Sequence, residues 1–289
     1  MPVKNVGKIE KSEFCRLGVY DHPVTEETAP RGVDPTVPSS ARIYDALLGG
    51  KDNYESDREV VGMLTEMYPF AQATAVENRA WLGRAVRYLA GEAGIRQFLD
   101  IGAGLPTQEN VHQVAQAVDP ACRVVYVDND PIVLSHGRAL LSGTDNVTVF
   151  AGDLADVEAI LAEARGFLDF GKPVAVLLSA ILHFFDDEAD PFRIVGILRD
   201  ALPPGSYLAL THGTNAEDRP DSKEFTDAYA RRSSSGLFLR DSAEVARFLD
   251  GFEPVEPGVV YAVRWRPDPG AAPRPVEQAP VWAAVGRLS

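Results

Sequence analysis

Cysteine is scarce in this sequence: of 289 residues only Cys15 and Cys122 are cysteines. Cys15 lies in a polar leader, so a disulfide framework is not expected. Long hydrophobic runs are missing as well. The longest, Pro173 to Phe185, has 13 residues, too few to cross a hydrocarbon core of about 30 Å. The first residues, MPVKNVGKIEKSEF, hold no apolar stretch of signal-peptide length. Positive charge is also short. Lys and Arg sum to 28 against 42 Asp and Glu, a formal net charge of −14. Such a surface repels phosphate backbones, because non-specific nucleic-acid affinity comes from cations that displace counterions. These absences predict a soluble cytoplasmic protein that needs neither nucleic acid nor membrane. The remaining composition is ordinary, 45% hydrophobic and 24% charged, enough to bury a core. At roughly 150 residues per domain, the length allows one large domain or two modest ones.

The chain divides by grammar. Residues 1–37 are interrupted by Pro23, Pro30 and Pro35, which predicts a flexible arm. Residues 38–93 read as a helical lid subdomain. Ser39 or Ser40 caps a helix that ends at Gly49 and Gly50, a second helix runs from about Ser56 to Met67, and a third from about Ala71 to Ala90. Residues 94–289 change to short β-branched runs at Phe98–Ile101, Val124–Val127, Val147–Phe150, Val174–Leu178 and Tyr207–Leu210. Amphipathic helical stretches separate these runs, so the fold class is α/β with a mostly parallel sheet covered on both faces. After a helix starting near Asp241, Gly258–Arg266 reads as a strand. The last strand, Val281–Leu288, follows only a proline-rich linker too short for a crossover helix. The final two strands are therefore predicted to be an antiparallel pair.

The chemistry concentrates at strand ends. In FLDIGAGLPT, Phe98 to Thr107, a buried strand ends on Asp100 and enters a loop whose Gly102 and Gly104 flank Ala103. Glycines there permit close backbone approach, and the amides of a following helix would face a polar or anionic ligand. A dinucleotide loop of the GxGxxG kind would place a third glycine at Thr107, and Pro106 lacks an amide, so NAD is disfavoured. The DxGxG order resembles instead the nucleoside-binding loop of S-adenosylmethionine (SAM) methyltransferases. Two further acids, Asp128 and Asp153, end the next two strands, on the sheet edge where open α/β folds bind ligands. Strand-end aspartates also cap helices, and that reading stays open for each singly. The resemblance implies that Asp128 accepts the ribose hydroxyls and Asp153 meets the adenine, with Asn129 and Leu154 beside it. It likewise implies that Ser179 and His183, after the fourth strand, line the methyl-transfer site, with His212 reaching the same edge. Histidine titrates near neutrality and suits a general base, so His183 and His212 are the catalytic candidates. No metal site is predicted.

The lid carries a second motif, ARIYDALLGGKDNYESDR, Ala41 to Arg58. It is not a P-loop: Asp45 stands at the first glycine position, and Asp52 follows Lys51. Together with the run from Asn78 to Thr107, it resembles a family of S-adenosyl methyltransferases found mainly in actinobacteria, over almost the whole chain from about Ala29. That resemblance implies a seven-stranded Rossmann-like methyltransferase sheet with a terminal hairpin, SAM as cofactor and a small-molecule acceptor. It makes Arg42, Tyr44, Lys51 and Asn53 candidates for contacting the donor's methionine carboxylate, with solvated helix-turn charges as the alternative. The polar segment from Thr214 to Arg240, with Tyr229, is predicted to be a mobile loop on the acceptor side. A non-catalytic SAM-binding or sensor protein is the competing function.

Overall fold

The computed structural model of the chain describes residues 29, 32–106, 109–140, 144–215, 222–233, 235–270 and 274–289. Most of the arm expected over residues 1–37, Cys15 included, lies outside the described residues. Three helices come first: α1 (Ser40–Leu47), α2 (Glu55–Met67) and α3 (Ala71–Gly91). The βα series follows with β1 (Gln97–Ile101), α4 (Val111–Val118), β2 (Arg123–Asp128), α5 (Pro131–Leu140), β3 (Val147–Ala151), α6 (Val157–Ala164), β4 (Ala175–Leu178), α7 (Pro191–Asp200) and β5 (Tyr207–Gly213). The chain ends with α8 (Ser222–Ala230), α9 (Ser242–Arg247), β6 (Phe252–Pro254), β7 (Val260–Tyr261) and β8 (Val281–Leu288).

The sheet runs in the order β3-β2-β1-β4-β5-β8-β6, with β7 pairing β8 off that path. Strands β1 to β5 are parallel, and β8 lies antiparallel to β5. The sheet thus has eight strands where seven were expected. Alternation along each strand feeds two cores. Leu99, Val125, Val127 and Val176 pack against α6, α7 and α9. Phe98, Val124, Ala175 and Leu177 pack against α3 and α4. Helix α3, read from sequence with the lid, therefore covers one face of the sheet, and α1 and α2 sit beyond it around Ile43, Val60 and Leu64.

Two expectations about the carboxyl end change. The strand predicted over Gly258–Arg266 shrinks to β7, because its chain turns into a 3₁₀ segment at Ala262–Arg264. That turn is held by Arg84, whose guanidinium donates to Ala262 O at 2.7 Å and Trp265 O at 3.2 Å. The three-residue β6 supplies the missing pairing with β8. The predicted loop from Thr214 to Arg240 contains α8, which packs on α2. Among the described residues no helix is long and apolar enough to cross a membrane.

Candidate functional site

In this sheet the connections from β1 and β4 leave in opposite directions, which opens a crevice at their carboxyl ends. A cavity of about 650 Å³ occupies it. Its floor is the glycine turn after β1. Gly102 and Gly104 have φ of +74° and +65°, and a Cβ on Gly102 would fall 2.3 Å from the Ile181 side chain. Only glycine fits there without displacing a neighbour.

The amides of the helix after the turn were expected to face a ligand; the amides of the turn itself are taken within the protein. Gly102 N and Ala103 N donate to Val127 O, at 2.8 and 3.2 Å, and Gly104 N donates to the Asp128 carboxylate at 2.9 Å. Helix α4 starts only at Val111, behind Pro106 and a capping box at Asn110. The turn therefore supplies shape, and the charges come from side chains.

Asp100, Asp128, Asn129, Asp153 and Leu154 all line the cavity, as do Gly102, Ala103 and Gly104. Asp128 is buried, and that burial raises its pKa against the pull of the Gly104 and Asp130 amides. Asn129 donates to Asp153 at 3.2 Å, so the second and third strand ends are joined directly. Asp153 also caps the next turn through Ala155 N at 2.9 Å. Its capping and cavity-lining roles coexist. The Asp100 carboxyl has no hydrogen-bond partner among the described residues, and burial pushes its pKa up to about 7.

The lid motif resolves into a self-braced structure. Arg42 is buried and gives its Nε to Asp57 at 2.9 Å, with further donation to the Asp34 and Val37 carbonyls. Asp45 accepts from Asp52 N and Asn53 Nδ2, and a Cβ on Gly50 would overlap its carboxylate. The double glycine thus lets the loop close over Asp45. Arg42, Asn53 and the exposed Lys51 do not line the cavity. Tyr44 does. Its hydroxyl donates to Ala75 O at 3.0 Å and accepts from Asn78 Nδ2 at 2.7 Å.

Asn78 ties four elements together. Besides Tyr44 on α1, its Nδ2 donates to Ser179 Oγ at 3.1 Å, and its Oδ1 accepts from Thr211 Oγ1 at 2.6 Å. Thr211 in turn accepts from Ala180 N at 2.8 Å, holding Ala180 at φ 55° beside the cavity. Strain of that kind persists only where the surroundings over-determine it.

Sequence reasoning singled out neither Asn78 nor Arg79. Arg79 faces the cavity one residue along α3, makes no ion pair or side-chain hydrogen bond among the described residues, and leaves its buried Nε without a partner. Its field lowers the pKa of Asp100 against the larger effect of burial. The pair Asn78-Arg79 opens the NRxWL stretch, the one signal available beforehand.

The two histidines separate. His183 lines the cavity; His212 is fully buried on the opposite face of β5 and does not. It packs on Phe248 and accepts from Arg240 at 3.1 Å. Strand parity decides this, since the neighbouring Gly213, of opposite parity, lines the cavity. Burial first, then neighbouring charge, pushes His183 down to about 3; burial likewise pushes His212 to about 4.

These values carry a stability consequence. Below about pH 6.5 the unfolded chain takes up two protons on these rings that the folded chain refuses. Asp100 opposes them, since its folded pKa near 7 keeps it protonated where the unfolded carboxyl ionises. The two rings thus lower the unfolding free energy as pH falls from 6 to 4.5, and Asp100 works against them together with Asp45 and Asp128, whose pKa values burial also raises. Denaturant titrations over that range should show Asp100→Asn losing stability with falling pH more steeply than the wild type; equal slopes contradict the assigned burial of Asp100.

A strand-end trio of carboxylates around a two-glycine turn lines one cavity at the switch point, the place where open α/β sheets bind ligands. Residues 26–289 match the S-adenosyl methyltransferase family, and the chain belongs to it; SAM is that family's cofactor. A Thermobifida fusca protein of known crystal structure is 45% identical with a TM-score of 0.85, over 91% of this chain and 99% of that one. A DUF574 family protein from Streptomyces avermitilis is 44% identical with a TM-score of 0.84, over 89% and 99% respectively. A carboxy-S-adenosyl-L-methionine synthase of Stutzerimonas stutzeri is 30% identical over 108 residues, which span 37% of this chain and 42% of that relative's length.

Proposed function

We propose that this cavity binds SAM and directs its methyl group to a small-molecule acceptor. The observation that carries the proposal is the pair of opposite charges left without hydrogen-bonding partners beside the glycine turn, Arg79 and Asp100. A methionine tail carries a carboxylate and an ammonium, which complement them. Asp128 offers its carboxylate to the ribose, and Asn129, Asp153 and Leu154 form the wall for the adenine. Arg79 thus takes the part that the sequence suggested for Arg42, Lys51 or Asn53.

When bound, SAM supplies an electrophilic methyl on a sulfonium. The protein's work is then to align the acceptor behind that methyl and exclude water. Asn78 braces Tyr44 and Ser179 at the cavity wall, and α1 and α2 form the cover. Ser39 holds this cover to the second strand end through a 2.6 Å bond to Asp130.

The tail assignment is tested by titrating S-adenosylhomocysteine (SAH) and tail-less 5′-methylthioadenosine into the wild type and Arg79→Gln. Loss of a charge-assisted bond should weaken SAH by roughly 10- to 100-fold and leave methylthioadenosine unchanged. Equal losses for both ligands, or none, contradict it. The wild type should also bind SAH less tightly as pH falls below 7, because Asp100 must release a proton to meet the ammonium. The slope approaches tenfold per pH unit, and Asp100→Asn should bind weakly with that slope removed. Turnover of labelled donor over a metabolite library distinguishes an enzyme from a binding protein.

A further inference from the structure

The inference rests on the donor assignment above and concerns the opposite end of the cavity. Among the described residues, charged side chains line it only toward the glycine turn: Arg79, Asp100, Asp128, Asp130 and Asp153. Beyond them the walls include Ile43, Leu47, Leu64, Phe184, Phe225 and Leu237. His183 stands among these walls, its ring edge-on to Phe184 at 4.5 Å and to His212 at 5.7 Å.

The partners of the two histidines fix where their protons sit. Arg240 has only donors, so its contact makes His212 Nε2 an acceptor, and His212 Nδ1–H then donates to Gly213 O at 2.8 Å. The Gly213 amide also can only donate, and it reaches His183 Nδ1 at 3.3 Å. Gly213 allows this approach; a Cβ there would lie 2.6 Å from Leu239. His183 is neutral, since burial, His212 and Arg240 all disfavour its charged form. A neutral imidazole whose Nδ1 accepts must carry its proton on Nε2, and Nε2 has no partner among the described residues. The ring's basic lone pair is thus engaged, and what it has to offer is an N–H.

We propose that His183 is a hydrogen-bond donor to the methyl acceptor, and that the acceptor is an apolar ring compound attacking through an acidic phenol or enol oxygen that ionises without a protein base. Nitrogen fits less well. A neutral amine has one lone pair, and one that accepts from His183 has none left for the methyl group. An oxygen anion keeps further pairs. In the transfer, the anion forms the O–C bond as the S–C bond breaks, and the electron pair leaves on sulfur as the neutral thioether. The acceptor's proton has already gone to solvent.

The test uses SAH-loaded protein and 4-nitrophenol, whose anion is read by its visible absorbance. The bound probe should ionise at a pH at least one unit lower in the wild type than in His183→Phe, a tenfold change in its acid constant. His183→Gln, which keeps an N–H donor, should restore most of the difference. Leu237→Asp should weaken the probe at least tenfold and leave SAH affinity unchanged. The same midpoint in wild type and His183→Phe overturns the donor role. No probe binding to protein that binds SAH overturns the acceptor class. Failure to bind SAH at all strikes the donor assignment instead.

Discussion

Asp128→Ala should weaken SAH binding by about two orders of magnitude. Two ribose hydroxyls donating to a buried carboxylate are each worth roughly 1.5–3 kcal/mol, and about 2.7 kcal/mol is already a factor of 100. Asp128 also accepts from Gly104 N and Asp130 N at 2.9 Å each, so the substitution loosens the turn as well as removing a ligand contact. The two effects separate with 5′-methylthioadenosine and its 2′-deoxy counterpart. Wild type should prefer the ribose compound at least tenfold, and the variant should bind both alike. A preference that survives in the variant would mean that Asp128 only braces the loop.

Asn78→Leu should cost about 3 kcal/mol of stability. Asn78 is buried, and its loss removes a donor to Tyr44 and Ser179 and the acceptor for Thr211. Polar groups stranded in this way cost roughly 1–3 kcal/mol apiece. Some relief remains, because Tyr44 still donates to Ala75 O and Thr211 still accepts from Ala180 N. For a domain of this size the melting temperature should fall by roughly 6–12 °C, as scanning calorimetry would show. A fall under 2 °C would mean that the network joining α1, α3, β4 and β5 contributes little.

The parallel strands were legible because each reads as a short β-branched run at βα spacing, and the strand-end carboxylates followed from them. Asp100, Asp128 and Asp153 accordingly line one cavity. The hairpin's antiparallel sense was legible from the proline-rich linker. Its extent was not, because Arg84 draws the Ala262–Trp265 backbone out of the sheet, a contact 178 residues distant in the chain. His212 shows a signal that was present and unused: it shares parity with Leu208 and Leu210, which face the sheet's other core. The GGKDN loop misled for a different reason. Glycines, a cation and an amide look alike whether they cradle a ligand or close over their own aspartate, and only the position of Asp45 decides. Arg79 offered no signal beyond its place in the NRxWL stretch. An arginine on a helix becomes informative only when the fold leaves it beside an unpartnered carboxyl.

The central claim is that three neighbouring strand ends and α3 converge on one SAM molecule. A crystal structure of the protein with SAH tests it most directly. The ribose hydroxyls should lie on Asp128, the adenine between Asn129 and Leu154, and the amino-acid tail between Arg79 and Asp100. SAH bound elsewhere, or inverted so that its adenine meets Arg79, would contradict it.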